Sequence, residues 1–308
     1  MELSSKNKDL QYFELKKSNA DKIHISFSEF SKFQECGHRH LIEKYLQLVV
    51  DEPSIHLIFG NSIHKAIETG IKELSSLDER ILIFREEFYR EMKNQMENHP
   101  DMVYLNDFLE QGENILKYLS TESIIKKYDI IGVEYVLYEH LFGPFYFKGF
   151  IDLIVQDKKT KRFVIIDWKT SGESWDVNKK KKDEIFMSQM RLYKFFFARK
   201  NNISLENIDC KYVVLNRLKS KKAPSLGFGE IQTVEIFSDE NDIKKSILKV
   251  AQTIKDIHIN QSFTKAKLIG QTNNCRFCPF KQNKFYCNDS DKQYLNFLEE
   301  NFNIKRIK

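Results

Sequence analysis

Gly149-Phe150-Ile151-Asp152-Leu153-Ile154-Val155 and Phe163-Val164-Ile165-Ile166-Asp167-Trp168-Lys169-Thr170-Ser171 decide the reading of this chain. Each is an apolar, β-branched run of the kind that forms a buried strand, and each carries an acidic residue within or at the end of the run. A carboxylate beside a buried strand is costly unless it is paired or binds a cation. Two converging carboxylates, with a lysine two residues after the second, make a site for a divalent metal and a cationic helper, which is the minimum for cutting a phosphodiester. Hard cations such as Mg²⁺ take oxygen ligands. They polarise a phosphoryl oxygen, lower the pKa of a bound water and orient in-line attack. Asp152 and Asp167 are the candidate carboxylates, the Trp168 backbone carbonyl a further oxygen, and Lys169 the group beside the attacking water or the developing charge. The bland reading is that Asp152 caps a turn while Asp167 and Lys169 form a surface ion pair. The pattern D…D-x-K taken alone does not decide between the two.

Working outward, 130–141, 145–155 and 163–168 read as three successive strands, with turns at Phe142-Gly143-Pro144 and Asp157-Lys158-Lys159-Thr160. Upstream, 23–50 reads as a helix pair around Cys36, opened by the capping-like Ser26-Phe27-Ser28-Glu29. Helical patterns follow at 60–74, 77–96 and 102–128. In the first of these Ile63, Ile67 and Ile71 share a face and His64 lies beside it. Downstream, 185–200 reads as a helix, 209–216 and 229–237 as strands, and 239–260 as a helix capped by Ser238, followed by a cysteine cluster and a last charged helix. The fold class predicted is α/β: a central mixed sheet flanked by helices, with a helical N-terminal region and a cysteine-bearing C-terminal tail. The expected division is a flexible N-terminus over 1–21, a helical region over 22–128, the sheet core over 129–262 and the cysteine segment over 263–308.

The 308 residues are 41% hydrophobic and 30% charged, so a packed core is expected and global disorder is not. The net charge of +5 permits a polyanionic partner without demanding one. No apolar run is long enough to span a membrane. The polar first 21 residues contain no apolar h-region, so a secretory signal is not expected. The setting expected is therefore cytoplasmic and reducing, where cysteines bind metal or stay free. No G-x-x-x-x-G-K-[ST] motif is present, so any helicase would be a separate partner. The run Lys179 to Lys182 reads equally as a phosphate contact or a solvated loop.

Of the five cysteines, Cys275-x-x-Cys278 with Cys287 eight residues on has metal-ligand spacing. Cys36 is the candidate fourth ligand, with His38 and His40 as substitutes for it, and Cys210 in a strand pattern reads as a small hydrophobe. Zinc and an iron–sulfur cluster both accept four thiolates. Three further features join the acidic pair: His64 one turn into its helix, Glu134 on the strand before Asp152, and Gln189 with Tyr193 at i and i+4 on one helix face. Singly each has a bland reading, as a core histidine, a surface acid and a chance pair.

Taken in order, Gly60-x-x-x-His64, Gly149-x-x-Asp152, Asp167-x-Lys169 and Gln189-x-x-x-Tyr193 resemble the RecB-type branch of the PD-(D/E)XK nuclease superfamily. The segments 59–68, 148–155, 165–171 and 188–193 carry the resemblance. It implies that His64, Asp152 and Asp167 ligate the metal, that Lys169 is the catalytic lysine, and that Gln189 and Tyr193 position the DNA backbone or the catalytic elements. Glu134 ranks below these. An imidazole ligand makes Mn²⁺ an alternative to Mg²⁺. One cysteine before these motifs and three after resembles the iron–sulfur-containing subset of bacterial and phage enzymes, which includes the AddB nuclease domain and the CRISPR-associated exonucleases. That implies a [4Fe–4S] cluster on Cys36, Cys275, Cys278 and Cys287, acting as a structural staple, with zinc as the competing occupant. The implied activity is a metal-dependent DNA exonuclease acting on single-stranded DNA or DNA ends in recombination, repair or replication, with a helicase or recombinase as candidate partner. The alternatives are a structure-selective endonuclease, or a non-catalytic DNA-binding subunit of a helicase–nuclease or CRISPR adaptation complex. The intact Asp152, Asp167 and Lys169 argue against the non-catalytic reading.

Overall fold

The apolar runs around Asp152 and Asp167 form adjacent strands of a mixed sheet, and the rest of the fold is arranged on them. The computed structural model describes residues 23–44, 54–119, 121–217, 231–263, 275, 278 and 280. In chain order the elements are β1 (Ile23–Ser26), α1 (Phe27–Glu35), α2 (Gly37–Lys44), α3 (Ile55–Lys72), α4 (Leu77–Met96), α5 (Leu105–Tyr118), α6 (Thr121–Lys127), β2 (Tyr128–Phe142), β3 (Phe145–Asp157), β4 (Phe163–Ser171), α7 (Glu184–Asn201), β5 (Ile208–Asn216), β6 (Ile231–Ile236) and α8 (Glu240–His258). They fall into two compact units, a larger one of 52–137 and 150–243 and a smaller one of 1–51, 138–149 and 244–308.

In the larger unit the strand order is β3-β4-β5-β6, with β2 also paired to β3. The β3–β4 ladder is antiparallel and pairs Leu153 with Ile166 and Val155 with Val164. The β4–β5 ladder is parallel from Phe163↔Ile208 to Ser171↔Asn216, and α7 makes the crossover that a parallel pair requires. Side chains alternate across the pleat. Val164, Ile166, Trp168, Val213 and Leu215 enter one hydrophobic core with α3, α4 and α5. On the opposite face, the Tyr212 hydroxyl and the Cys210 thiol reach backbone carbonyls of α7 at Phe186 and Met190. Burial pushes the Cys210 thiol up to about 12, so it is a packed hydrophobe rather than a ligand.

Helix α3 buries Phe59, Ile63, Ala66, Ile67 and Ile71 along one stripe, the expected 3.6-residue period. Helix α4 starts at a capping box, in which Ser76 accepts from the Glu79 N–H and the Glu79 carboxylate accepts from the Ser76 N–H at 2.7 Å. Its Phe84 and Phe88 rings stack at 5.7 Å, and the Phe59 ring stands edge-on to both. Gly112 on α5 lies so close to Phe84 that a Cβ there would overlap the ring. The helical layer that fixes α3 is thus an aromatic stack with no spare volume at this point.

In the smaller unit β1 runs parallel to the start of β3, with Ile23 opposite Phe145 and Ser26 opposite Lys148. Ser26 ends the strand and caps α1, accepting from the Glu29 N–H at 3.1 Å. Gln34 donates to the Thr253 hydroxyl of α8 at 2.8 Å.

The described elements depart from the sequence reading in three places. Residues 23–26 are a strand rather than the start of a helix, because β3 offers them a parallel partner. The pattern at 102–128 is broken into a 3₁₀ segment, α5, α6 and the first residue of β2. Asp239, not Ser238, caps α8, accepting from the Asp242 N–H at 2.8 Å, while Ser238 accepts from Arg191. The last charged helix, Cys287 and 45–50 lie outside the described residues. No described helix is long and apolar enough to cross a membrane.

Gly112→Ala is expected to destabilise the protein by about 1–3 kcal/mol through overpacking against Phe84, although alanine is the better intrinsic helix former. Urea unfolding measures this, and an unchanged or raised midpoint would show that the α4–α5 contact has room to relax.

Candidate active site

Toward its open end the β3–β4 register brings Asp152 and Asp167 side by side, one step past the Leu153–Ile166 pair. The Trp168 N–H turns to the Asp152 carboxylate at 2.7 Å. Asp167 is 2% exposed. Its carboxylate pairs with Lys169 Nζ at 2.6 Å and accepts from Gln189 Nε2 at 2.9 Å. Helix α7 is fixed for this role by its own start, where Asp183 accepts from the N–H groups of Ile185 and Phe186.

Two more elements deliver side chains here. His64, on α3, places Nδ1 3.5 Å from the Asp152 carboxylate, and its ring is hydrogen-bonded to the Trp168 backbone. Glu134, on β2, has φ of +51°, a left-handed conformation rarely adopted by a residue with a long side chain. That strain costs on the order of 1–3 kcal/mol and persists only where the surroundings impose it. His64, Glu134 and Asp152 each offer a ligand atom, and the three atoms lie within 4.8 Å of one another. One imidazole nitrogen and two carboxylate oxygens are a donor set that suits Mn²⁺ or Mg²⁺.

Electrostatics give the same picture. Burial first, then the neighbouring Asp167 charge, holds the Asp152 carboxyl well above the usual carboxylate range. Burial, then Glu68, raises Glu134. Burial lowers His64, which favours the neutral imidazole that a metal requires. Acidic groups crowded until they resist ionisation are a site that gains from a cation.

The residues singled out by sequence separate as follows. His64, Asp152, Asp167, Lys169, Gln189 and Tyr193 come together, and the Trp168 backbone meets both His64 and Asp152. Glu134, ranked low by sequence, is the third member of the ligand group. Tyr212 was missed. Its hydroxyl donates to Gln189 Oε1 at 3.2 Å and its ring lies 5.6 Å from Lys169 Nζ. Its signal was the strand register, which places it beside Asp167 in the parallel ladder. Tyr193 accepts from Gln189 at 3.3 Å, and burial raises its phenol above the ordinary tyrosine range, so it stays neutral.

The cysteines behave differently. Cys36 caps the end of α1, and the N–H of Cys278 donates to the Cys275 carbonyl at 3.3 Å. The charges of Cys36 and Cys275 are felt at Cys278, whose thiol burial pushes up. Among the described residues these thiols do not form a metal-ligand group.

An α/β sheet with an acidic pair, a lysine and a candidate metal-ligand group where the inner β3–β4 ladder ends is the framework of a metal-dependent phosphodiesterase. The chain matches the PD-(D/E)XK nuclease superfamily over residues 24–283 and belongs to it. Membership makes it a nuclease-class hydrolase of a family that uses divalent metals. A solved structure described as "Crystal structure of SSO0001" is similar over 79% of this chain and 91% of its own length, at 15% identity and a TM-score of 0.29. Comparison with curated proteins gave no match.

A folded-state pKa above the unfolded value makes Asp152 a source of stability below the usual carboxylate range, lost as pH rises through its raised pKa. A divalent cation needs the ionised form. The rise in Tm on adding Mn²⁺ should therefore be small in acid and grow as pH climbs through that range. Asp152→Asn should flatten the dependence. Scanning calorimetry across pH checks both, and a pH-independent shift would remove Asp152 from the metal site.

Proposed function

We propose that this chain is a divalent-metal-dependent DNA exonuclease, with His64, Glu134 and Asp152 as metal ligands, Asp167 beside them and Lys169 as the catalytic lysine. The observation that carries the reading is the convergence of the three ligand atoms within 4.8 Å next to the Asp167–Lys169 pair. Mg²⁺ or Mn²⁺ held there supplies Lewis-acid polarisation of the phosphoryl oxygen and a water of lowered pKa. Asp152 is held for this by the Trp168 N–H. Lys169 places its ammonium where negative charge develops on phosphorus, and its pairing with Asp167 fixes it there before substrate arrives. Gln189 holds Asp167 Oδ1 and links it to Tyr193 and Tyr212, while Oδ2 faces the Lys169 ammonium, so the side chain is held from both sides.

The exonucleolytic mode rests on the resemblance of the His64 helix and the Gln189–Tyr193 pair to the RecB-type branch. Single-stranded DNA or DNA ends are the substrates that this reading favours, in recombination, repair or replication. A helicase or recombinase is the fitting partner. For the cysteines we retain a [4Fe–4S] cluster on Cys36, Cys275, Cys278 and Cys287, with zinc as its competitor. The C-x-x-C spacing and the resemblance of the cysteine order support it.

Lys169→Ala should lower kcat by about 100-fold or more with little change in KM, and Asp152→Ala should abolish metal-dependent cleavage with the fold intact by circular dichroism. Normal turnover in either variant would sink the site assignment. Circular single-stranded DNA should survive while its linear form is digested; cleavage of the circle would replace the exonuclease reading with an endonuclease. Anaerobically purified protein should carry iron and acid-labile sulfide that Cys278→Ser loses together with thermal stability, whereas stoichiometric zinc would decide for the alternative.

A further inference from the structure

The carboxyl ends of β4 and β5 carry a cation that the proposed chemistry does not use. In open α/β sheets ligands bind beyond the carboxyl ends of the parallel strands. Arg217 is the first residue after β5, and its N–H donates to the Ser171 carbonyl at 2.8 Å, so its backbone is locked to the end of β4. Ser171 lies two residues past Lys169, roughly 7 Å along the strand at the usual rise. The guanidinium lies over the Phe108 ring, 4.4 Å from its centroid, and 5.6 Å from that of Phe59. Phe59 is on α3, five residues before His64.

Among the described residues Arg217 lacks the carboxylate partner that several other arginines have. Arg39, Arg85, Arg90, Arg162 and Arg191 each pair with a carboxylate. Among the described residues Arg217 has no carboxylate partner, and its side-chain hydrogen bond goes to the neutral Gln111 Oε1, at 3.2 Å from Nη1. A guanidinium has five N–H donors, so one bond leaves most of the fork unused. Its pKa is lowered by burial with no acidic neighbour opposing the shift. A half-buried, uncompensated charge is costly unless a ligand anion completes it. A guanidinium held over the Phe108 ring, with Phe59 beside it, has restricted freedom, and its fork of N–H donors suits recognition of a tetrahedral oxyanion.

We propose that Arg217, seated by Phe108 and Phe59 at the end of β5, is a phosphate-binding subsite that holds a backbone phosphate of the nucleic-acid strand beyond the carboxyl ends of β4 and β5. The assignment rests on the nuclease reading and deepens it. Arg217 contacts the strand's backbone and reads no base, so its contribution is independent of sequence. Gln111 orients the fork, and the aromatic layer below sets its height.

The test uses the full chain with Mn²⁺ and an end-labelled oligothymidylate, comparing wild type, Arg217→Gln and Arg217→Lys. Arg217→Gln should raise KM about ten-fold while kcat stays within about two-fold, the mark of a contact made equally in ground and transition states. The slope of log affinity against log salt should shrink by about 0.7, the value for one phosphate contact on a single strand. Arg217→Lys should keep that slope yet recover only part of the affinity, because a point charge replaces a fork. If the wild type cuts and binds while Arg217→Gln matches it in KM and salt slope, the subsite is overturned and the nuclease reading stands. A lower Tm in Arg217→Gln with an unchanged salt slope also overturns it, leaving a packing role over the phenylalanines. Wild type that neither cuts nor binds overturns the nuclease reading and the subsite with it.

Discussion

Two carboxylates forced together at the edge of an antiparallel ladder are the constraint on which the site depends. The register that pairs Leu153 with Ile166 leaves Asp152 and Asp167 as neighbours, and neither can be moved without moving a core strand. Like charges at this depth repel strongly because little water screens them. The chain meets that cost in different ways for the two. Asp167 has Lys169 and Gln189, both fixed by strand and helix geometry. Asp152 has a single backbone N–H and an imidazole, so its proton is held far more firmly than usual. This asymmetry leaves Asp167 paired and Asp152 uncompensated.

The groups that make the site arrive from five elements, α3, β2, β3, β4 and α7, and packing remote from the chemistry anchors them. His64 is carried on a helix whose other face is locked into the stack of Phe59, Phe84 and Phe88. Gln189 and Tyr193 are carried on α7, which docks through Tyr212. Glu134 is presented by a backbone in a strained conformation, which a strand would not adopt for packing alone. A site built this way is pre-organised: its supporting hydrogen bonds exist before metal or substrate is added. Arg217 extends the same logic, since its position is set by β4 and by two phenylalanines of the helical layer.

Much of this was legible in the chain itself. Apolar runs gave the strands, and periods near 3.6 gave α4 and α7 with nearly correct limits, because their patterns are long and their N-caps are side-chain bonded. Helix α3 instead starts five residues before the helix read at 60–74, behind a Ser54 that makes no side-chain cap bond. Asp152, Asp167 and Lys169 stood out because acidic residues beside buried strands need a reason. Where local signals were short, they misled. Residues 23–26 became a strand only because β3 was there to pair with them, and Ser238 lost its capping role to Asp239 because Arg191 claimed its hydroxyl.

The sequence by itself determined most element types, the acidic pair with its lysine, and the order of motifs that marks the superfamily, all of which follow from local periodicity and residue chemistry. The tertiary structure alone decided which distant groups meet. Glu134 joins His64 and Asp152 through a positive φ that no residue pattern encodes. Tyr212 reaches Gln189 through the parallel register of β4 and β5. Arg217 is set apart by the absence of a carboxylate near it among the described residues, a property of the assembled surface rather than of any stretch of chain. Ligand sets and uncompensated charges are relations across space, and they come into being only when the strands are paired and the helices packed.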